Sequence, residues 1–162
     1  MNCVFMESTF LTMYTVIKIY EIPKLYGDVY DPMQYDATMK RIMDSDSNIR
    51  NCIVADTEGE IKAVMHRDGI RNYLSDEETS ESLKRAATSW KARKQLSPKI
   101  GLGQYAIAAF EKLTRMTFPA GENHLVFVSM ASNPVREDYN QGGREDIVEH
   151  VLNILSGDPT KN

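Results

Sequence analysis

The sequence predicts an α+β domain of order α-β-β-α-β-β-β-α, and three observations carry that expectation. Apolar residues recur at helical spacing in three separate stretches, whereas after Gly103 the apolar period falls to two. Two connections, Glu111-Lys112 and Ala120-Gly121-Glu122-Asn123, are short enough to force antiparallel neighbours. Stop signals, Ser97-Pro98 and Gly157 with Pro159, stand where the helical periodicity ends.

Taken in chain order, Asp31 is the expected N-cap of the first helix. Pro32 stands at its first position, where the missing N–H costs nothing, and Gln34 sits where it closes a capping box. The helix is expected to run to about Met43, with Tyr35, Met39, Ile42 and Met43 on one stripe. Asp44-Ser45-Asp46-Ser47-Asn48 ends it, because short polar side chains compete for backbone hydrogen bonds. Ile49 to Asp56 and Glu60 to His66 are β-branched runs joined by Thr57-Glu58-Gly59, the composition of a hairpin. Arg67 to Leu74 reads as a loop.

Ser75 then caps a helix from Asp76 to about Gln95, with Glu78 at the reciprocal position and Leu83, Ala86, Ala87 and Trp90 on the apolar face. Asp76, Glu77, Glu78 and Glu81 crowd its first turns and Lys91, Arg93 and Lys94 its last, as the helix dipole favours. Strands are expected over Gln104 to Phe110, Leu113 to Pro119 and His124 to Ala131, forming a meander. A polar loop from Ser132 to Gly143 leads to a final helix, Arg144 to Leu155, with Ile147, Val151, Ile154 and Leu155 at helical spacing.

With 162 residues, 42 % of them hydrophobic and 26 % charged, the chain has the composition of one globular domain. Residues 31–156 are assigned to it, residues 1–30 to an N-terminal extension that is disordered or a misassigned start, and residues 157–162 to a tail. No window reaches the roughly 18 apolar residues of a membrane span. A formal charge of −4 argues against a general polyanion binder, whose affinity comes from cations displacing counterions. Cys3 and Cys52 are too few for a disulfide framework, which fits a reducing cytoplasm. Val4 to Ile22 imitates a signal peptide, but no cation precedes Lys18, Glu7 interrupts the run, and no small-residue cleavage site follows. Export is not expected.

No catalytic, cofactor or metal constellation is legible. His66, His124 and His150 share no motif with a cysteine or carboxylate at ligand spacing, and read as surface or satisfied histidines. The Asp44 to Asn48 run imitates the start of a calcium loop, yet Ile49 stands where glycine is needed and Ala55 where glutamate should chelate. Gly101-Leu102-Gly103 precedes a strand and reads as a turn; Gly142-Gly143 precedes a helix but lacks the Lys-Ser/Thr of a phosphate loop. Lys84, Arg85, Lys91, Arg93, Lys94 and Lys99 make a basic stretch that suits an acidic partner or RNA, or simply complements the helix's own dipole.

One feature points outward. The strand Gln104-Tyr105-Ala106-Ile107-Ala108-Ala109-Phe110 starts the meander after a helical crossover, so it falls at a sheet edge, and it holds no proline. Its alanines allow close approach of another backbone, and a symmetric strand-to-strand dimer is one solution. A loop or helix of the same chain covering the edge is the other. The candidate dimer interface comprises Tyr105, Ala106, Ala108 and Phe110 with Leu83, Ala87 and Trp90 of the preceding helix.

From Tyr35 to Leu155 the chain resembles an uncharacterised archaeal family of small proteins. The resemblance rests on Ser89-Trp90-Lys91-Ala92-Arg93-Lys94, Lys99-Ile100-Gly101, the run Tyr105 to Phe110 with Glu111-Lys112, and His124-Leu125-Val126-Phe127-Val128-Ser129. That layout is similar to the roadblock/LC and profilin-like group. The similarity implies a five-stranded antiparallel sheet with helices on both faces, and a dimer through the third strand and the middle helix. It also implies a non-enzymatic adaptor or regulator of a protein partner, a Ras-like small GTPase among them. The alternative is a cytoplasmic small-ligand sensor with a pocket lined by Tyr105, Phe118, Phe127 and Trp90. A third reading, RNA binding through Lys84 to Lys99, runs against the net charge.

Overall fold

The computed structural model describes residues 14–16, 32–132 and 142–156. Its elements are β1 (Tyr14–Val16), α1 (Pro32–Ser45), β2 (Ile49–Asp56), β3 (Ile61–Arg67), α2 (Asp76–Lys94), α3 (Ser97–Ile100), β4 (Ala106–Ala109), β5 (Leu113–Ala120), β6 (His124–Ala131) and α4 (Gly142–Ser156). The five expected strands form one antiparallel sheet in the order β3-β2-β6-β5-β4, and the three-residue β1 adds a margin beside β3.

Local chemistry accounts for most boundaries. Pro32 opens α1; the expected Asp31 cap lies outside the described residues. At its far end α1 runs to Ser45, two residues past the expected Met43, and stops within the expected polar run, where Asn48 N–H donates to Asp46 Oδ1 at 2.6 Å to close the turn. Arg67 of β3 then donates to the carbonyl oxygens of Met43, Asp46 and Ile49 at 2.6, 2.9 and 2.6 Å. A charged fork thereby ties the Met43 carbonyl at the helix end to the Asp46 turn and the start of β2. In the β2–β3 hairpin the Asp56 carboxylate accepts the N–H groups of Glu58 and Glu60, both at 2.9 Å. Both arms of the Ser75–Glu78 capping box are present at the start of α2.

Most expected ends shift by a residue or two, and three differences go further. After Gln95 the chain makes one further helical turn, α3, with Pro98 in its first positions, where proline needs no N–H partner. β4 is shorter than expected because Gln104, Tyr105 and Phe110 have no ladder partner to either side. Gly142 and Gly143 belong to the backbone of α4 rather than to a loop; the rest of the expected Ser132 to Gly143 loop, residues 133–141, lies outside the described residues.

Alternation along the strands builds two cores. On one face Met39, Ile42 and Met43 of α1 and Ile147, Val148 and Val151 of α4 pack on Cys52, Val54, Met65, Met116, Phe118, Val126 and Val128. On the other, Leu83, Ala87 and Trp90 of α2 pack on Ile53, Ala55, Leu125 and Phe127. Neighbouring residues such as Ile53 and Val54 therefore serve opposite cores, as the period of two requires. Helices thus cover both faces of a central sheet, and β4 is the last strand on one side.

Candidate interaction surface

β4 pairs with β5 alone, through Ala106↔Thr117, Ile107↔Met116, Ala108↔Arg115 and Ala109↔Thr114. Its other side carries free backbone N–H and C=O groups along an apolar strand, the arrangement that recruits another strand. Ile107, Ala108 and Ala109 are exposed and Ala106 is half-buried. No described strand of the chain pairs with this margin.

Register sorts the side chains. Tyr105 and Ile107 lie on the α1/α4 side, Tyr105 with its ring centroid 6.3 Å from that of Phe118. Ala106 and Ala108 lie on the α2 side, where Ala106 packs against the Trp90 cluster. Both large residues stay substantially exposed, as does Phe110 just after the strand.

The helix partners expected for this surface need correction. Leu83, Ala87 and Trp90 are buried against the chain's own sheet, so their apolar area is already used and is not open to a second molecule. The α2 flank beside the margin is instead lined by small residues. Ser82 accepts a hydrogen bond from Arg115 Nη1 of β5. Ala86 packs on the edge of the Trp90 cluster, and Ser89 follows at helical spacing. The signal for this was present in the sequence as small residues at i, i+4 and i+7, but only register shows which flank faces β4.

The sensor pocket is also corrected. Tyr105 and Phe118 belong to the α1/α4 face, Trp90 and Phe127 to the α2 face, so the sheet itself separates the four. Half of the basic stretch is neutralised within the chain: Lys84 pairs with Glu60 at 3.0 Å, Arg85 with Glu81 at 2.9 Å, and Lys91 with Glu58. Among the described residues Arg93, Lys94 and Lys99 have no ion pair, and all three are exposed. No group of three or more histidine, cysteine or acidic side chains among the described residues is placed to hold a metal. Cys52 is fully buried and burial pushes its thiol up to about 12, which leaves it protonated and unreactive.

Further exposed apolar residues gather at the two ends of β4. Leu96, Ile100 and Leu102 precede it in the chain; Tyr73, with Leu74 next in sequence, lies beside the turn that follows it. The Arg50 guanidinium sits 4.4 Å from the Tyr73 ring centroid and Lys112 Nζ 5.9 Å from it, which fixes that loop against the β4–β5 turn. None of these residues stood among those expected for the surface. Ile100 and Leu102, flanking a turn glycine without any apolar periodicity, were the visible hint.

An antiparallel sheet of this order, covered on one face by the first and last helices and on the other by the middle one, is the fold of roadblock/LC7 domains. The gliding protein MglB from Thermus thermophilus is similar with a TM-score of 0.53 at 17 % identity, over 82 % of this chain and 95 % of its own. A roadblock/LC7 domain from Streptomyces avermitilis gives 0.53 at 11 % identity, over 75 % and 92 %. Myxococcus xanthus MglB gives 0.52 at 13 %, over 80 % and 95 %. At such identities the likeness defines the fold and leaves function to the site. Neither a family model nor a curated protein matches the chain. No helix among the described residues is long and apolar enough to cross a membrane.

Proposed function

We propose that this chain is a non-enzymatic, homodimeric roadblock-like adaptor or regulator of the cytoplasm that binds a protein partner, a Ras-like small GTPase. The observation that carries the reading is the unpaired β4 margin. It bears Ile107 and Ala108 in the open, and it is flanked on the α2 side by the small residues Ser82, Ala86 and Ser89. A twofold pairing of β4 with β4 satisfies its free backbone groups and lets two α2 helices approach over the small residues Ser82, Ala86 and Ser89. The resulting continuous sheet presents two copies of every surface to a partner. The GTPase follows from the similarity to roadblock/LC proteins, and the archaeal resemblance rests on the quoted sequence runs.

Light scattering across a dilution series tests the dimer. Twice the chain mass, falling to one chain on dilution, is the expected course, and Ala108→Lys should abolish the larger species by placing a charge at the seam. A chain that stays monomeric at every concentration removes the reading. Titration with purified Ras-like GTPases loaded with GDP or a non-hydrolysable GTP analogue tests the partner; binding that depends on the nucleotide supports it, and no binding to either form removes the GTPase.

A further inference from the structure

Strand pairing along β4 involves only four residues, and so short a seam supplies little of the roughly 800 Å² per partner that a stable interface buries. Resting on the dimer proposed above, we propose that α3 and the turn after it dock, through Ile100 and Leu102, on Tyr73, Leu74 and Phe110 of a second copy.

Symmetry sets the contact. Two chains joined antiparallel along β4 place the residues before the strand in one copy beside those after it in the other. Before the strand stand Ile100 and Leu102, 78 % and 79 % exposed. Gly101 between them adopts φ 89°, the left-handed region that glycine enters freely, and this turns the chain sharply. After the strand stand Phe110, 58 % exposed, with Tyr73 at 54 % and Leu74 at 39 %. Lys112 of the following turn reaches within 5.9 Å of the Tyr73 ring centroid, which locates that pair at the strand's far end.

Both groups lie on the α2 side of the sheet. A Cβ at Gly103 would stand 3.6 Å from the Trp90 ring, so the turn after α3 runs against α2's own core. Tyr73 and Leu74 lead directly into the Ser75 cap. A twofold axis perpendicular to the sheet keeps this side common to both copies. Each apolar group therefore lacks cover in one chain and meets the other in the pair, and the contact forms twice. Exposed apolar patches of this kind mark interaction sites.

Sedimentation equilibrium on the full chain tests the contact with Leu102→Asp, Leu74→Lys and the double variant, circular dichroism confirming that each folds. Each single change should weaken self-association by about tenfold or more. The double variant should recover most of the loss, since the new charges are opposite and meet across the copies. If Leu102→Asp leaves association unaltered, or if the two effects merely add, the contact is overturned. Should a single variant misfold, Ile100→Asp with Tyr73→Lys repeats the cycle. Ala108→Lys separates the two proposals: dissociation by Ala108→Lys without any effect of Leu102→Asp leaves the dimer standing and removes this docking, whereas a monomeric wild type removes both.

Discussion

His66 pairs across the ladder with Asn51 of β2 and stands near the start of α2. Desolvation by burial lowers its pKa below the ordinary imidazole value, and the Asp76 carboxylate opposes that shift without cancelling it. The folded state therefore binds the proton less readily than the unfolded chain. Stability on this account is complete above the unfolded value of about 6.5, and it is lost as the pH falls through the lower folded value. Urea unfolding at a series of pH values should show that decline in the wild type and a flatter profile in His66→Asn; parallel profiles would contradict the assignment. Arg115 behaves in a related way: burial lowers its pKa, and Ser82 is the acceptor for its guanidinium. Neither effect was legible from residue type, because burial of a histidine or arginine depends on which helix lies over it.

At the level of elements, α2 was the most legible, since its cap, capping box and charge gradient are local in the chain. Its contact with the β2–β3 hairpin was not. Gly59, at φ 85°, lies so close to α2 that a Cβ would stand 2.6 Å from Lys84 Cα and 2.7 Å from its N. Backbone cannot yield as a side chain would, and the left-handed conformation adds its own strain. Gly59→Ala should therefore destabilise the protein by about 2 kcal/mol or more, read as a drop in denaturant midpoint. A change under about 0.5 kcal/mol, the level of an ordinary surface substitution, would show that the hairpin is not pressed on the helix. The ion pairs Lys84–Glu60 and Lys91–Glu58 bridge the same two elements. Being exposed, they contribute little beyond what the close approach already fixes. α3 is not legible in the sequence because a single turn has no periodicity, and Tyr105 and Trp90 do not line a common pocket because they serve opposite faces.

For the molecule as a whole, strand order decides what is available for recognition. The central contact joins β2 to β6, with Ile53 opposite Phe127 and Val54 opposite Val126. That pairing pushes the meander outward and leaves β4 last. A dimer closed on that margin couples folding to association, so the melting temperature should rise with protein concentration, as mass action requires. A scan series at increasing concentration with an unchanged midpoint would count against it. The sequence by itself determined the α-β-β-α-β-β-β-α order, the hairpins and the capped middle helix, because period, caps and turn residues act over a few neighbours. It also marked the alanine-rich strand as a candidate edge. The tertiary structure alone decided that Leu83, Ala87 and Trp90 face inward, that Ser82 meets Arg115 of β5 while Ala86 packs on the same cluster as Ala106, and that Ile100, Leu102, Tyr73 and Leu74 stand exposed toward the ends of β4. Those facts depend on long-range register between strands distant in the chain, which fixes the face each side chain takes and which no local pattern encodes.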